Sequence, residues 1–185
     1  MLVTRNYEAA EASNNSVFRK LLEGGHITEI IDAGECKSKK GNELMKFTFD
    51  VIEDNEFNHY FEKDARCDDD GNIVWPNGGT KYILPENPEL LKQLVNCINS
   101  SNEDQVVITG GEELDFNQFK GKKVCCQFGL EEYYNHSNEI KSSIYIKGFY
   151  PISEVDEIEI PLVKLIDGTE ITYEEYKKIK NKEEK

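Results

Sequence analysis

The stretch "NELMKFTFDVIE", residues 42–53, alternates apolar and polar side chains with unusual regularity. In an extended chain, successive side chains point to opposite faces, so one face of this stretch carries only apolar residues. Those residues are Met45, Phe47, Phe49 and Val51, and the opposite face carries Lys46, Thr48 and Asp50. The pattern predicts a β-strand with one face against a hydrophobic core.

Four other segments show a similar pattern and predict further strands: residues 24–35, 56–63, 122–133 and 140–150. In the third strand, 56–63, we expect Phe57 and Phe61 to face inward and Tyr60 outward. The inward residues of the fourth strand are Val124, Cys126, Phe128 and Leu130. In the fifth, Ile144 and Ile146 share one face, and Tyr145, Lys147 and Phe149 share the other. Residues 64–86 are rich in turn formers and predict a long connection that holds a short hairpin.

A helix is predicted between the third and fourth strands, in "ENPELLKQLVNCINSSN". Asn87 is suited to cap its first turn, and Pro88 suits the first helical position because proline lacks the N–H group. An apolar stripe at helical spacing follows, formed by Leu90, Leu91, Leu94, Val95 and Ile98.

The order strand, strand, strand, helix, strand, strand is that of the OB-fold, a small, partly open five-stranded barrel. The sequence therefore predicts a mainly β protein with one central helix, and an SH3-like barrel or a meander with a packed helix remains an alternative. We expect three parts: an N-terminal arm (1–23), the barrel (24–150), and a C-terminal extension with a charged tail (151–185). The extension should contain an appended strand or hairpin followed by a short charged helix.

The formal charge of −14 argues against a general polyanion-binding protein, but the charges are sorted along the chain. Residues 53–70 hold eight acidic side chains against Lys63 and Arg66. Residues 36–46 hold four lysines against one acid, and residues 120–123 hold three lysines and no acid.

An OB-fold binds oligonucleotides on the face of strands 2 and 3, flanked by the loops that join strands 1–2 and 4–5. The lysines of residues 36–46, Lys141, Lys147 and several outward aromatic residues fall on this face or its loops. Single-stranded nucleic acid needs such a mixture, since ammonium groups contact phosphates and rings stack on bases. The residues predicted to bind it on these grounds are Lys37, Lys39, Lys40, Lys46, Tyr60, Lys141, Tyr145, Lys147 and Phe149. Trp75 fits equally well as a stacking ring or as the buried anchor of a turn.

Nothing in the sequence predicts an enzyme, a cofactor or a metal site. The five cysteines include no CxxC pair, and none of the three histidines has ligand spacing to a cysteine, so we expect free thiols and structural histidines. The "RCDDDGNI" stretch lacks the acids that a calcium loop needs at its first and twelfth positions. The carboxylate pairs lie beside no recognisable nucleophile or base.

No apolar run approaches the roughly 20 residues that span a bilayer, and the first 18 residues lack the apolar stretch of a secretory signal. We therefore expect no contact with a membrane and a location in the cytoplasm.

The segment "FKGKKVCCQFGLEEYYNHSNEIKSSIYIKGFYPISEV" (119–155) resembles the end of the barrel in a family of phage-encoded single-stranded-DNA-binding proteins of Gram-positive hosts, long classified only as a domain of unknown function. "GGHITEIIDAGECKSKKGNELMKFTFDVIE" and "NPELLKQLVNCINSSN" are also similar to it, so the resemblance covers roughly residues 24–155. It implies an OB-fold that coats single strands together with phage replication or recombination proteins. The binding residues it implies are Lys37, Lys39, Lys40, Lys46, Lys122, Lys123, Tyr133 and Lys141. The ending "NKEEK" departs from the acidic, apolar-closed tip by which many bacterial single-strand binders recruit partners.

The sequence thus predicts a non-enzymatic, sequence-tolerant single-stranded-DNA-binding protein, with RNA binding and homo-oligomer formation left open. The alternative is an acidic protein-interaction module, or a DNA mimic, that binds a basic host protein.

Overall fold

The computed structural model of the protein describes Leu21 and residues 24–183. The rest of the predicted N-terminal arm lies outside the described residues. The chain is mainly β, with short 3₁₀ turns at Glu62–Asp64, Asn77–Gly79, Phe116–Phe119 and Ile152–Glu157. Its regular elements in chain order are β1 (Gly25–Lys37), β2 (Glu43–Val51), β3 (Arg66–Cys67), β4 (Ile73–Val74), β5 (Thr80–Ile83), α1 (Pro88–Ser101), β6 (Lys123–Tyr134), β7 (Ile140–Tyr150), β8 (Val163–Lys164), β9 (Glu170–Ile171) and α2 (Tyr173–Glu183).

Seven of the strands form one mixed sheet in the order β5-β2-β1-β6-β8-β9, with β7 paired to the other edge of β6. All of its pairs are antiparallel except β6 with β8. Among the described residues, no ladder joins β5 to β7, so the sheet is not a closed barrel. The predicted mainly β class with a helix between strands is confirmed, whereas the five-stranded OB barrel is not.

Strand β1 is long because it pairs with two neighbouring strands. Its first residues pair with β6, and from Thr28 onward it pairs with β2. The register with β2 shifts between Ile30 and Asp32, which leaves Ile31 as a bulge. A bulge bends its strand and increases the local twist, so β1 curves as it passes from one partner to the other.

The predicted third strand, residues 56–63, is wrong. This segment forms turns that lead into the Glu62–Asp64 3₁₀ helix. Side chains accept hydrogen bonds from its backbone N–H groups. The side-chain amide oxygen of Asn55 accepts from the Phe57 N–H group at 2.8 Å, and the Asp50 carboxylate accepts from the Phe61 N–H group at 2.9 Å. Such bonds compete with a strand ladder. Both phenylalanines are nevertheless buried in the core, as predicted.

The missing third strand is β5, which lies in the segment predicted as a connection and pairs with β2. The same segment contains the predicted short hairpin, formed by β3 and β4 as a separate two-stranded sheet.

The predicted helix is confirmed as α1, with Pro88 at its start. Leu94 and Ile98 of the apolar stripe are fully buried, and Leu90, Leu91 and Val95 pack against the core while partly exposed. The Asn87 side chain makes no capping hydrogen bond, so that prediction is wrong.

The core is built from phenylalanines, and one of them was predicted on the surface. Phe149 is 1% exposed, and its ring centroid lies 5.5 Å from that of Phe49. The cause is a bulge in β7: Gln127 pairs with Gly148 but its neighbour Phe128 pairs with Ile146. Lys147 is thus the extra residue, and it brings Phe149 onto the same face as Ile146.

The C-terminal extension contains the predicted hairpin (β8–β9) and helix (α2). It forms a second, smaller core in which Leu130 of β6 packs with Val163 and Tyr176. An ion pair of 3.1 Å between Lys180 and the nearly buried carboxylate of Glu132 joins α2 to β6. No helix in the described part of the chain is long and apolar enough to cross a membrane.

A lysine bridges the gap where the sheet fails to close. The ammonium group of Lys81 on β5 donates a 2.8 Å hydrogen bond to the Ile146 carbonyl oxygen of β7. Burial lowers the pKa of Lys81, and the neighbouring Cys126 offsets this only in part. A single side chain therefore takes the place of a ladder between these two strands.

Replacing Phe149 with Ala is expected to lower the free energy of unfolding by about 3–5 kcal/mol, because it removes a fully buried ring from the core. Urea denaturation measures this change. Lys147→Ala, at the exposed neighbouring position, serves as the control and should change it by no more than about 0.5 kcal/mol. An unchanged stability for Phe149→Ala would show that the ring is not part of the core.

Lys81→Met keeps most of the side-chain volume but removes the bridge, and should cost about 1 kcal/mol at pH 7. The pKa of Lys81 is lower in the folded protein than its ordinary 10.5, so between these values the unfolded chain binds more protons. The wild-type contribution of Lys81 to stability therefore grows as pH rises towards 10.5. Urea denaturation at pH 7 and pH 9.5 should show a larger wild-type advantage at the higher pH. Lys92→Met, on the exposed side of α1, is the matched control for the loss of a lysine charge.

Candidate nucleic-acid interface

The turn between β1 and β2 presents a cluster of cations. Lys37, Lys39 and Lys40 are exposed, and in the described part of the chain none of the three forms an ion pair. The turn is closed by hydrogen bonds from the Ser38 N–H group to the Asn42 carbonyl (2.8 Å) and from the Asn42 N–H group to the Ser38 hydroxyl (3.0 Å). Its backbone geometry is thus well defined, while the lysine side chains are free to reach a ligand.

These three lysines are not equivalent. Lys37 lies directly opposite Glu43 in the β1–β2 register, so an acid partly offsets its charge. Lys39 and Lys40 lie in the turn itself, beyond the last strand pair. They are the least compensated cations of the cluster.

An aromatic residue and a lysine lie side by side next to this turn. On the outer face of the sheet, Lys46 of β2 is paired with Tyr82 of β5 and, on its other side, with Gly34 of β1. Tyr82 is 46% exposed, and Lys46 is half-buried. A Cβ atom added at Gly34 would meet nothing within 4 Å, so the surface beside Lys46 is open. The cluster formed by Lys39, Lys40, Lys46 and Tyr82 is called the lysine–tyrosine surface below. Lys37 lies on the opposite face of the hairpin, the face of Glu43 and Met45, because side chains alternate along the strand.

Tyr82 was absent from the residues predicted to bind. Its strand, within "GTKYILP", is a short β-branched and aromatic run bounded by Gly79 and Pro85, which is a strand signal. Partial burial raises the pKa of Tyr82, and the nearby Cys36 thiol raises it further by a smaller amount. The phenol therefore remains neutral at physiological pH. A neutral, half-exposed ring next to an ammonium group is suited to stacking on a base.

The outer face is open only near the lysine turn. Farther along β2, Thr48 and Asp50 are buried although the sequence predicted them on the polar face, because residues 52–80 fold over this part of the sheet.

A pocket of about 290 Å³ lies beside the lysine turn and is lined by Glu35, Cys36, Lys37, Glu43, Leu44, Met45 and Pro85.

The β6–β7 hairpin forms a second exposed tip. Tyr133 is 44% exposed and lies opposite Lys141, and both are predicted binding residues. Lys141, however, forms a 3.3 Å ion pair with Glu139. A hydrogen bond from the Asn135 amide lowers the pKa of Glu139, and Lys141 lowers it further. This acid is therefore charged at neutral pH. The rings of Tyr133 and Tyr134 are both exposed on this tip, so either can contact a ligand.

The face of β7 that prompted the aromatic prediction is not a continuous row of exposed side chains. Tyr145 lies against Gly129, where an added Cβ atom would be 2.8 Å from its ring. Burial, followed by Glu131 and Glu170, raises the pKa of Tyr145, and these acids would repel phosphates. Lys147 is exposed at the bulge, and Phe149 belongs to the core.

Two other aromatic residues act as anchors. Tyr60 packs at 5.1 Å against the ring of Phe61, and its hydroxyl is hydrogen-bonded to the backbone of Leu21. The indole N–H group of Trp75 donates a 3.0 Å hydrogen bond to the Phe49 carbonyl. Tyr60 is therefore not the outward ring that was predicted, and for Trp75 the structure favours the anchored turn.

The "KGKK" lysines lie apart from the lysine–tyrosine surface. Lys122 is 16% exposed, and its ammonium group donates to the Asp104 carbonyl at 3.0 Å. Lys123 is exposed but lies opposite Glu29 of β1. These two lysines therefore do not extend the cationic surface.

The structure brings together Lys39, Lys40 and Lys46 of the predicted set, adds Tyr82 to them, and leaves Tyr133 and Lys141 on a separate tip. Lys37 adjoins the same turn but lies on the opposite face of the hairpin. No protein-family model matches the chain, and no curated protein matches it.

Proposed function

We propose that the protein binds single-stranded nucleic acid without sequence preference and without catalysing a reaction. The observation that carries this proposal is the lysine–tyrosine surface, where Lys46 is paired with the half-exposed ring of Tyr82 near the exposed Lys39 and Lys40, and where none of these lysines forms an ion pair within the described residues. Lys39, Lys40 and Lys46 would contact phosphates, and Tyr82 would stack on a base. Tyr133, on the second tip, would add a further stacking position.

We also propose that the core of the sheet is an incompletely closed OB-type barrel. The elements β1, β2, β5, α1, β6 and β7 follow each other in the order strand, strand, strand, helix, strand, strand. The seam that would complete the barrel is the β5–β7 gap, which Lys81 bridges. In OB-folds the face of strands 2 and 3 binds oligonucleotides, and Lys46 and Tyr82 are on β2 and β5.

The biological setting that we propose is phage DNA replication or recombination in a bacterial cell, as the resemblance of residues 24–155 to phage single-strand binders implies. Single-stranded DNA is the favoured ligand. A protein that ignored oligonucleotides and bound a basic protein instead would be the acidic interaction module or DNA mimic.

The first test concerns the lysine turn. Replacing Lys39 and Lys40 together with Ala should weaken binding to a labelled single-stranded 30-mer and reduce the slope of log K against log salt by about 1.4, since each single-strand phosphate contact contributes about 0.7. Fluorescence anisotropy at several salt concentrations measures both quantities. Lys122→Ala plus Lys123→Ala, which removes the same charge elsewhere, should leave the slope unchanged. Equal slopes for the wild type and the Lys39/Lys40 variant would exclude the turn from the interface.

The second test concerns the ring. Tyr82→Ala should weaken single-strand binding by roughly 1–3 kcal/mol, or roughly 5- to 150-fold, because it removes a stacking platform. Tyr82→Phe keeps the ring and should bind like the wild type. Ile73→Ala, which truncates an exposed side chain on β4, controls for the loss of apolar surface. If Tyr82→Ala and Ile73→Ala have the same affinity as the wild type, the ring does not contact the nucleic acid.

A further inference from the structure

Three side chains of metal-ligand type meet near the end of β2. Asp50 is the residue before the last of this strand, and His59 and Glu62 come from the turn and the 3₁₀ helix that follow. The Nδ1 atom of His59 lies 3.3 Å from Oδ2 of Asp50 and 3.0 Å from Oε2 of Glu62. All three ligand atoms lie within 4.8 Å of one another.

Asp50 is the buried member of this cluster and is 1% exposed. One of its oxygens, Oδ1, accepts hydrogen bonds from the N–H groups of Val51 (3.0 Å) and Phe61 (2.9 Å). The other oxygen, Oδ2, points at the cluster, and within the described residues no group outside the cluster donates to it. No lysine or arginine of the described chain pairs with Asp50. A buried carboxylate requires a compensating charge, and on the Oδ2 side that charge has to come from the cluster itself.

The spacing of the ligand atoms fits a metal ion. Zinc bound to nitrogen and oxygen at 2.0–2.2 Å in tetrahedral geometry separates neighbouring ligand atoms by about 3.3 Å. The two separations from the His59 nitrogen are 3.3 and 3.0 Å. The side chains of His59 and Glu62 are 54% and 63% exposed, so an ion can reach the site from solvent.

We propose that Asp50, His59 and Glu62 form a three-ligand site for a divalent transition-metal cation, with Zn²⁺ the best match and a remaining position for water. The imidazole nitrogen selects this class of cation, because Mg²⁺ and Ca²⁺ prefer ligand sets made of oxygen alone. The positive charge of the ion would balance the negative charges of the Asp50 and Glu62 carboxylates. It would also fasten the turn that carries Phe57 and Phe61 to strand β2.

This site was not expected from the sequence, in which no metal ligands were predicted. His59 is preceded by Asp50 at a distance of nine residues and followed by Glu62 three residues later, which is not a recognised ligand spacing. Only the turn in place of the predicted third strand brings the three groups together.

The test is a titration of the full-length, chelator-treated protein with ZnCl₂ by calorimetry, and with CoCl₂ by visible absorption. We expect one saturable equivalent, and a Kd at least tenfold higher in His59→Asn and in Glu62→Gln. Asparagine is chosen because it tolerates the positive φ of 55° at position 59. Glu62→Gln changes only an exposed side chain, so it keeps the test informative if the first variant folds poorly.

His136→Asn, which removes an exposed imidazole on the β6–β7 tip, should bind metal like the wild type. Zn²⁺ should also raise the melting temperature of the wild type but not that of Glu62→Gln. The proposal is overturned if no saturable binding occurs, if both cluster variants keep wild-type affinity, or if the Co²⁺ spectrum shows thiolate charge transfer, which would assign the ion to cysteines. Displacement of the bound ion by an equal concentration of Mg²⁺ would overturn the assigned class of cation.

Discussion

The structure depends on one strand that is hydrogen-bonded on both sides and bent in between. Thr28 and Glu29 of β1 are paired with β2 and with β6 at once, and the bulge at Ile31 lies directly beyond them. A flat strand in this position would make a flat sheet, which could not enclose the phenylalanines of its inner face. Because β1 bends, the same strand contributes to the core at Ile30 and then continues, paired with β2, to the lysine turn.

The alternation of apolar and polar side chains correctly predicted which residues are buried wherever a strand and its partner are both regular. In β2, all four residues predicted to face the core are buried. The same alternation failed in β7, because a bulge is a property of the pair of strands, and a single strand read alone contains no sign of it. The extra residue, Lys147, moved Phe149 from the predicted surface into the core.

The polar face of β2 illustrates a second limit of predicting burial from the alternation of side chains. Thr48 and Asp50 have the composition of a solvent-facing row, yet both are buried beneath the segment that follows. That segment does not continue the sheet because the side chains of Asp50 and Asn55 bind its backbone N–H groups. A periodicity argument considers only which side chains are apolar, so it cannot detect polar side chains that redirect the backbone. The lysine turn, by contrast, was predictable, because its charge and its turn chemistry are local properties of five or six residues.

The net charge of −14 and a surface suited to a polyanion are compatible because β2 separates the two kinds of charge. The acid-rich segment begins after the end of β2, and the lysine turn precedes its start. Nine strand residues separate the two ends of β2 by roughly 27 Å, several times the screening length of about 8 Å at physiological salt, so the start of the acidic segment is remote from the lysine turn. The acids nearest the lysines along the β1–β2 hairpin are Glu35 and Glu43, so the local balance around the turn, and not the total charge, governs the potential there. The strand that orders the core thus also places the lysine turn and the start of the acidic segment at its opposite ends.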